Sequence, residues 1–140
     1  MTGAPGAANG GGTIDVLICD DVDAMRMLLG AVIGLRPGLR MVGEARDGNE
    51  AISEARRLQP DVILLDLSMP LRTGFEALPE ICAAAPDARV IVLSGFLAAT
   101  IETDVLALGA SLFMEKGAHP DEINDAIEAV AAARKLSARV

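Results

Sequence analysis

Three uninterrupted apolar runs, Val16-Leu17-Ile18-Cys19, Val62-Ile63-Leu64-Leu65 and Val90-Ile91-Val92-Leu93, recur along the chain, separated by longer stretches of helical period. A strand that alternates apolar and polar residues can leave one face in water, whereas a run that is apolar at every position must be covered on both. The pattern therefore points to an α/β chain with a doubly wound parallel sheet, these runs being its central strands. Two weaker segments, Arg40 to Ala45 and Ser111 to Met114, supply the edge strands and bring the predicted number to five.

Five helices are predicted between and after the strands. The first carries Met25, Leu28, Leu29, Val32 and Ile33 as an i, i+3, i+4, i+7, i+8 stripe, its expected core face, and ends before Pro37-Gly38. The second, Asn49 to Leu58, closes on Arg56 and Arg57 and is stopped by Pro60. The third, Phe75 to Ala85, contains Pro79, expected near the first turn where an amide has no partner to lose. The fourth, Ala99 to Leu108, ends at Gly109, and the fifth runs from Pro120 to Lys135 with acids at its start and bases at its end. Residues 1–12 include five glycines and almost nothing that could pack, so a disordered tail is expected, followed by one domain over 13–135 and a short tail or linker stub over 136–140.

Composition narrows the function classes. Twelve basic against twenty acidic residues give a net charge of −8, and the aromatic residues are three Phe with no Trp or Tyr. Such a chain has neither the cationic field that phosphate contacts need nor the platforms on which bases stack, so unaided nucleic-acid binding is not expected. The longest uncharged stretch of the body, Val90 to Ile101, is 12 residues, too short for a membrane span, and no signal peptide precedes it. A cytoplasmic location is the expectation. Cys19 and Cys82 read as reduced core residues, and Met25, Met27, Met41, Met69 and Met114 as packing. His119, just before Pro120, reads as a helix-entry residue, and Phe96-Leu97 as an exposed recognition patch.

In an open parallel sheet ligands gather at the carboxyl ends of the strands. The residues that follow the apolar runs are Asp20-Asp21, Asp66, Ser94 and, after the last strand, Lys116. Carboxylates ~5 Å apart repel by about 3 kcal/mol per pair at an effective dielectric of ~20, so a cation must share the site. An all-oxygen ligand set suits a hard divalent ion such as Mg²⁺. Asp66 is then placed to act as a nucleophile toward phosphorus, with Lys116 neutralising charge and Ser94 donating to a bound phosphoryl oxygen.

These residues, set in VILLDLSMPLRTGFEAL, VIVLSG and LFMEKGA, resemble the receiver domain of bacterial two-component response regulators over about Thr13 to Lys135. The spacing of Asp66, Met69, Pro70 and Gly74, joined to the acidic pair and the late lysine, carries the likeness. The resemblance implies a flavodoxin-like strand order 2-1-3-4-5, with Asp66 as phosphoacceptor. Asp21 would ligate Mg²⁺ directly and Asp20 through water, with Asp66 and the Ser68 carbonyl completing the protein ligands. Ser94 and Phe113 would form a switch pair. Implied partners are a sensor histidine kinase or phosphotransfer protein, and a phosphorylation-dependent second copy docking through the fourth helix, fifth strand and fifth helix. DNA would be reached only through a C-terminal output domain outside this sequence, as in receivers that precede a helix-turn-helix domain. Such a module catalyses only its own phosphorylation and dephosphorylation. The chain departs from the family pattern in having Gly117 where many members carry Pro after the lysine, and Phe113 rather than Tyr.

An alternative class is a haloacid dehalogenase-type phosphatase with Asp21 as nucleophile, since Asp21-Val22-Asp23, Ser94 and Lys116 also resemble its motifs. That reading leaves Asp66 without a role. A flavodoxin-like cofactor carrier is disfavoured by the acidic loop after the first strand, which repels a phosphate.

Overall fold

The computed structural model describes residues 12–95 and 99–139. Strands and helices alternate throughout: β1 (Ile14–Cys19), α1 (Asp23–Ile33), β2 (Leu39–Ala45), α2 (Gly48–Leu58), β3 (Val62–Asp66), α3 (Gly74–Ala84), β4 (Arg89–Ser94), α4 (Ala99–Ala107), β5 (Leu112–Glu115) and α5 (Pro120–Arg139). Every ladder is parallel, and the sheet runs β2-β1-β3-β4-β5. The wholly apolar segments thus occupy the interior and the mixed ones the edges, as the patterning requires. Phe96, Leu97, Val140 and residues 1–11 lie outside the described residues, and with them the expected recognition patch and nearly all of the N-terminal tail.

The pleat sorts the core into two layers. Leu17, Cys19, Ile63, Leu65, Val90 and Val92 face α2, α3 and Val105 of α4, whereas Val16, Ile18, Val62, Leu64, Ile91 and Leu93 face α1 and α5. Local signals close the helices on this frame. Asp47 caps α2 by accepting the Glu50 amide at 2.8 Å, and Thr73 and Glu76 form a reciprocal capping box on α3. Gly109, with φ of +117°, turns the chain after α4 in a conformation that side chains avoid.

Four expectations need correction. The buried line of α1 is Arg26, Leu29, Val32 and Ile33, while Leu28 is 56% and Met27 75% exposed. The predicted stripe and the observed one share Leu29, Val32 and Ile33, so apolarity alone cannot choose between them; the rotation puts an arginine where a leucine was expected. Met27 is accordingly not a core residue, whereas Met69 is buried and Met25, Met41 and Met114 pack at the edge of the α1–α5 layer. Pro79 is the sixth residue of α3 rather than part of its first turn, so the Phe75 carbonyl loses its i+4 amide. Helix α5 continues past Lys135 to Arg139, so residues 136–139 are helical. Cys19 is buried and Cys82 half-buried, both as free thiols, and burial pushes both above their ordinary range. Among the described residues no helix is long and apolar enough to cross a membrane.

Candidate functional site

The ladders deliver the polar groups to one edge by register. β1 and β3 pair as far as Cys19 with Leu65, β3 and β4 as far as Asp66 with Leu93, and β4 and β5 as far as Ser94 with Glu115. Asp20 and Lys116 each emerge one residue later, and the Lys116 amide donates to the Ser94 carbonyl at 2.8 Å, extending the last ladder. Asp20, Asp66 and Ser94 are buried, Lys116 is partly buried and Asp21 is exposed.

Carboxylate oxygens of Asp20, Asp21 and Asp66 lie within 4.8 Å of one another. Lys116 Nζ is 2.9 Å from Asp20 Oδ2 and 3.3 Å from Asp66 Oδ2. Asp20 Oδ1 accepts the Val22 amide at 2.9 Å, and Asp66 Oδ1 accepts the Ser68 amide at 3.1 Å. The second oxygen of each, Oδ2, is fully buried, and the cation that both share among the described residues is the Lys116 ammonium. Burial raises the Asp66 carboxyl above its ordinary value, and the Asp20 charge adds to the rise, against the opposing Ser68 amide and Lys116 ammonium. Burial alone would lower Lys116, but its contacts with Asp20 and Asp66 outweigh that and hold the ammonium above its usual value.

One ammonium among three carboxylates leaves the pocket with excess negative charge. Two buried oxygens sharing one ammonium, in an all-oxygen donor set, fit a hard divalent cation such as Mg²⁺. Ser68 stands on the loop that follows Asp66, and that loop is fastened at its far end by Gly74, whose amide donates to the Leu67 carbonyl at 3.0 Å. A Cβ at Gly74 would lie 2.0 Å from the Asp66 carbonyl oxygen, so only glycine allows this approach. Ser94 and Phe113 share a sheet face: Phe113 pairs with Val92, two residues before Ser94, and packs half-buried against the α2–α3 layer. The Lys116–Gly117 peptide is trans, as are all others among the described residues. His119 serves as helix entry, its amide donating to Glu122 Oε1 at 2.9 Å and its Nδ1 accepting the Asp121 amide at 3.1 Å.

One residue at this edge escaped the sequence reading. Arg26 is 7% exposed and sends its guanidinium under the acidic loop, where Nη1 donates to the Asp20 carbonyl at 2.6 Å. The available signal was its place among apolar neighbours in a helix whose stripe could be read in two rotations.

A family model described as the response regulator receiver domain matches residues 16–128. The transcriptional regulatory protein LiaR of Bacillus subtilis is 38% identical over 128 residues, which are 91% of this chain and 61% of LiaR. The chemotaxis protein CheY of Thermotoga maritima is 34% identical over 115 residues, covering 82% of this chain and 95% of CheY. Among solved structures, the response regulator domain of Thermotoga maritima CheB superposes with a TM-score of 0.80 at 36% identity, over 86% of this chain and 97% of that one. The chain thus spans about three fifths of LiaR and nearly all of CheY. None of these likenesses supports the phosphatase reading, whose nucleophile, Asp21, is the exposed member of the acidic cluster. Sequence, strand order and the matched family agree: the chain belongs to the response regulator receiver domains of two-component systems.

Proposed function

We propose that Asp66 accepts a phosphoryl group from a phosphohistidine of a sensor histidine kinase or phosphotransfer protein, in a Mg²⁺-dependent reaction. The observation that carries this is Asp66 Oδ2: buried, and 3.3 Å from the Lys116 ammonium at the edge where ligands of such sheets gather. In the transfer, Oδ2 forms a bond to phosphorus as the bond from phosphorus to the donor imidazole nitrogen breaks. The bonding pair leaves with that nitrogen, which takes a proton. Asp66 must be ionised to attack, and the ion pair with Lys116 favours that form although burial opposes it. Lys116 stands ready to neutralise the transferred oxygens, and the Ser94 hydroxyl to donate to one of them.

Asp21, Asp66 and the Ser68 carbonyl would hold Mg²⁺ directly and Asp20 through water; when bound, the ion supplies the charge that lets a phosphoryl group approach carboxylates. Ser94 and Phe113, on one face of adjacent strands, would carry the change to the surface of α4, β5 and α5. That surface would dock a second copy or an output partner. The functional unit would be residues 13–135, acting in the cytoplasm and catalysing only its own modification. DNA would be reached through an output domain, consistent with the likeness to a transcriptional regulatory protein.

The test is exposure to a small acyl- or amido-phosphate with and without Mg²⁺, followed by mass mapping. A Mg²⁺-dependent gain of one phosphoryl group on Asp66 is expected. Modification that maps to Asp21, or persists in Asp66→Ala, overturns the assignment.

A further inference from the structure

Helix α1 begins without the device that starts α2 and α3. Its N-cap position is Val22, which has no side chain able to accept from the first turn, and no capping hydrogen bond forms there. The loop that carries Asp20 and Asp21 leads straight into this uncapped start. Parallel strands end on carbonyls at this edge, so the Asp20 carbonyl also needs a donor from elsewhere.

Arg26, which can only donate, meets the second need. Its three nitrogens are used on three segments: Nη1 on the Asp20 carbonyl at 2.6 Å, Nε on Glu44 Oε1 of β2 at 2.6 Å, and Nη2 on Asp23 in the first turn of its own helix. With it, every polar group of Asp20 is engaged. The Asp20 amide donates to the Ala45 carbonyl at 3.0 Å, Oδ1 accepts from Val22, and Oδ2 faces Lys116. Without it, the peptide between Asp20 and Asp21 has no fixed carbonyl. A planar, charged fork reaching three oxygens is something lysine cannot reproduce.

We propose that Arg26 is a positioning residue for the acidic pair: by bridging the Asp20 carbonyl to Glu44 and Asp23 it sets how the Asp20 and Asp21 carboxylates are presented to a divalent cation. The inference rests on the metal reading of the pocket given above. It has a consequence that charge alone would reverse. Removing a cation beside a cation site should tighten binding by electrostatics, whereas removing a brace should weaken it.

The experiment is calorimetric titration of Mg²⁺ into the folded chain and its variants at fixed ionic strength, since a protein without Trp or Tyr offers little intrinsic fluorescence. Arg26→Lys keeps the charge and loses the fork; Arg26→Gln loses both. Both are expected to bind Mg²⁺ about tenfold more weakly, the scale found when partners that orient metal ligands are removed. In acyl-phosphate reactions the Mg²⁺ concentration giving half-maximal rate should rise by the same factor, with the rate at saturating Mg²⁺ within about twofold of the parent. A cavity of about 470 Å³ lined by Arg26, Glu44, Arg46, Glu50 and Glu54 gives the shorter side chains room on the outer side. Should the Arg26 variants fail to fold, Glu44→Asp withdraws one partner of the fork while conserving charge, and a weakening of about threefold is expected. Unchanged Mg²⁺ affinity in Arg26→Lys, or in Glu44→Asp when that variant must decide, overturns the proposal, as does tighter binding in Arg26→Gln. The parent chain distinguishes the two levels: if it binds no Mg²⁺, the pocket reading itself has failed.

Discussion

Strands β1 and β3 carry an aspartate pair at each end and use the two pairs in opposite ways. At the amino edge, the Asp15 amide donates to Asp61 Oδ2 at 2.8 Å, the Asp61 amide donates to the Asp15 carbonyl at 2.9 Å, and Arg40 lies 2.9 Å from Asp15 Oδ1. At the carboxyl edge, the buried Oδ2 atoms of Asp20 and Asp66 share one ammonium, that of Lys116. The difference follows from strand polarity. Parallel strands begin on free amides, which answer carboxylates, and end on free carbonyls, which do not. Acids at the first edge are therefore met by strand amides and an exposed arginine, whereas the buried acids at the second have a loop amide on one oxygen and share a single ammonium on the other, which leaves negative charge in excess. The contrast teaches that residue type alone does not mark a site; buried charge left in excess does.

Substitutions of matched residues at the two edges can break this contrast. The largest expected effect is on modification. Asp66→Asn should abolish the mass gain from an acyl phosphate, whereas Asp61→Asn should leave the rate within about twofold. Equal losses would mean that the edges are not functionally distinct.

Next comes metal linkage. Mg²⁺ at a hundred times its dissociation constant should stabilise the parent by about 2.7 kcal/mol, seen as a rise in melting temperature. That response should vanish in Asp21→Asn and survive in Asp15→Asn. A melting temperature indifferent to Mg²⁺ at low salt would remove the metal from the account.

A smaller effect concerns pH in the presence of a chelator. Asp66 is held above its ordinary value mainly by burial, so it favours folding only where it is protonated, and that contribution is lost as pH rises through the raised value. Asp66→Asn should therefore melt about 5 °C higher than the parent at neutral pH, the gain fading as the buffer is made acidic. A gain that persists unchanged in acid would point to packing instead. The smallest effect belongs to the satisfied edge. Arg40 is 52% exposed, so Arg40→Ala should cost less than about 0.5 kcal/mol in denaturant melts.

Most of the fold was legible because buried parallel strands cannot disguise themselves: wholly apolar runs have no other stable setting in a chain of this kind. The residues that follow them were legible for the same reason, since the end of each run names its position at the carboxyl edge. The rotation of α1 was not. Two stripes share three residues, and what decides between them is the set of oxygens that Arg26 meets from β2 and the Asp20 loop, which are distant in sequence. Pro79 was misplaced by the reading of the turn itself: even from Phe75 it is the fifth helical residue, past the amides that have no partner, and the capping box at Thr73 moves it one further. The extent of α5 was missed because the paired bases Arg134 and Lys135, read as a terminal signal, are followed by more helix.

Gly74 stands eight positions after Asp66, yet a methyl group there would press on the Asp66 carbonyl from 2.0 Å. Sequence drift along this loop is consequently unequal. Leu71 is 81% exposed, so a replacement there is limited by its own left-handed backbone, φ +64°, and not by packing, while residue 74 is closed to all nineteen alternatives. A descendant of this chain could thus rewrite the exposed part of this loop while Asp66 stays where a single hydrogen atom lets it be.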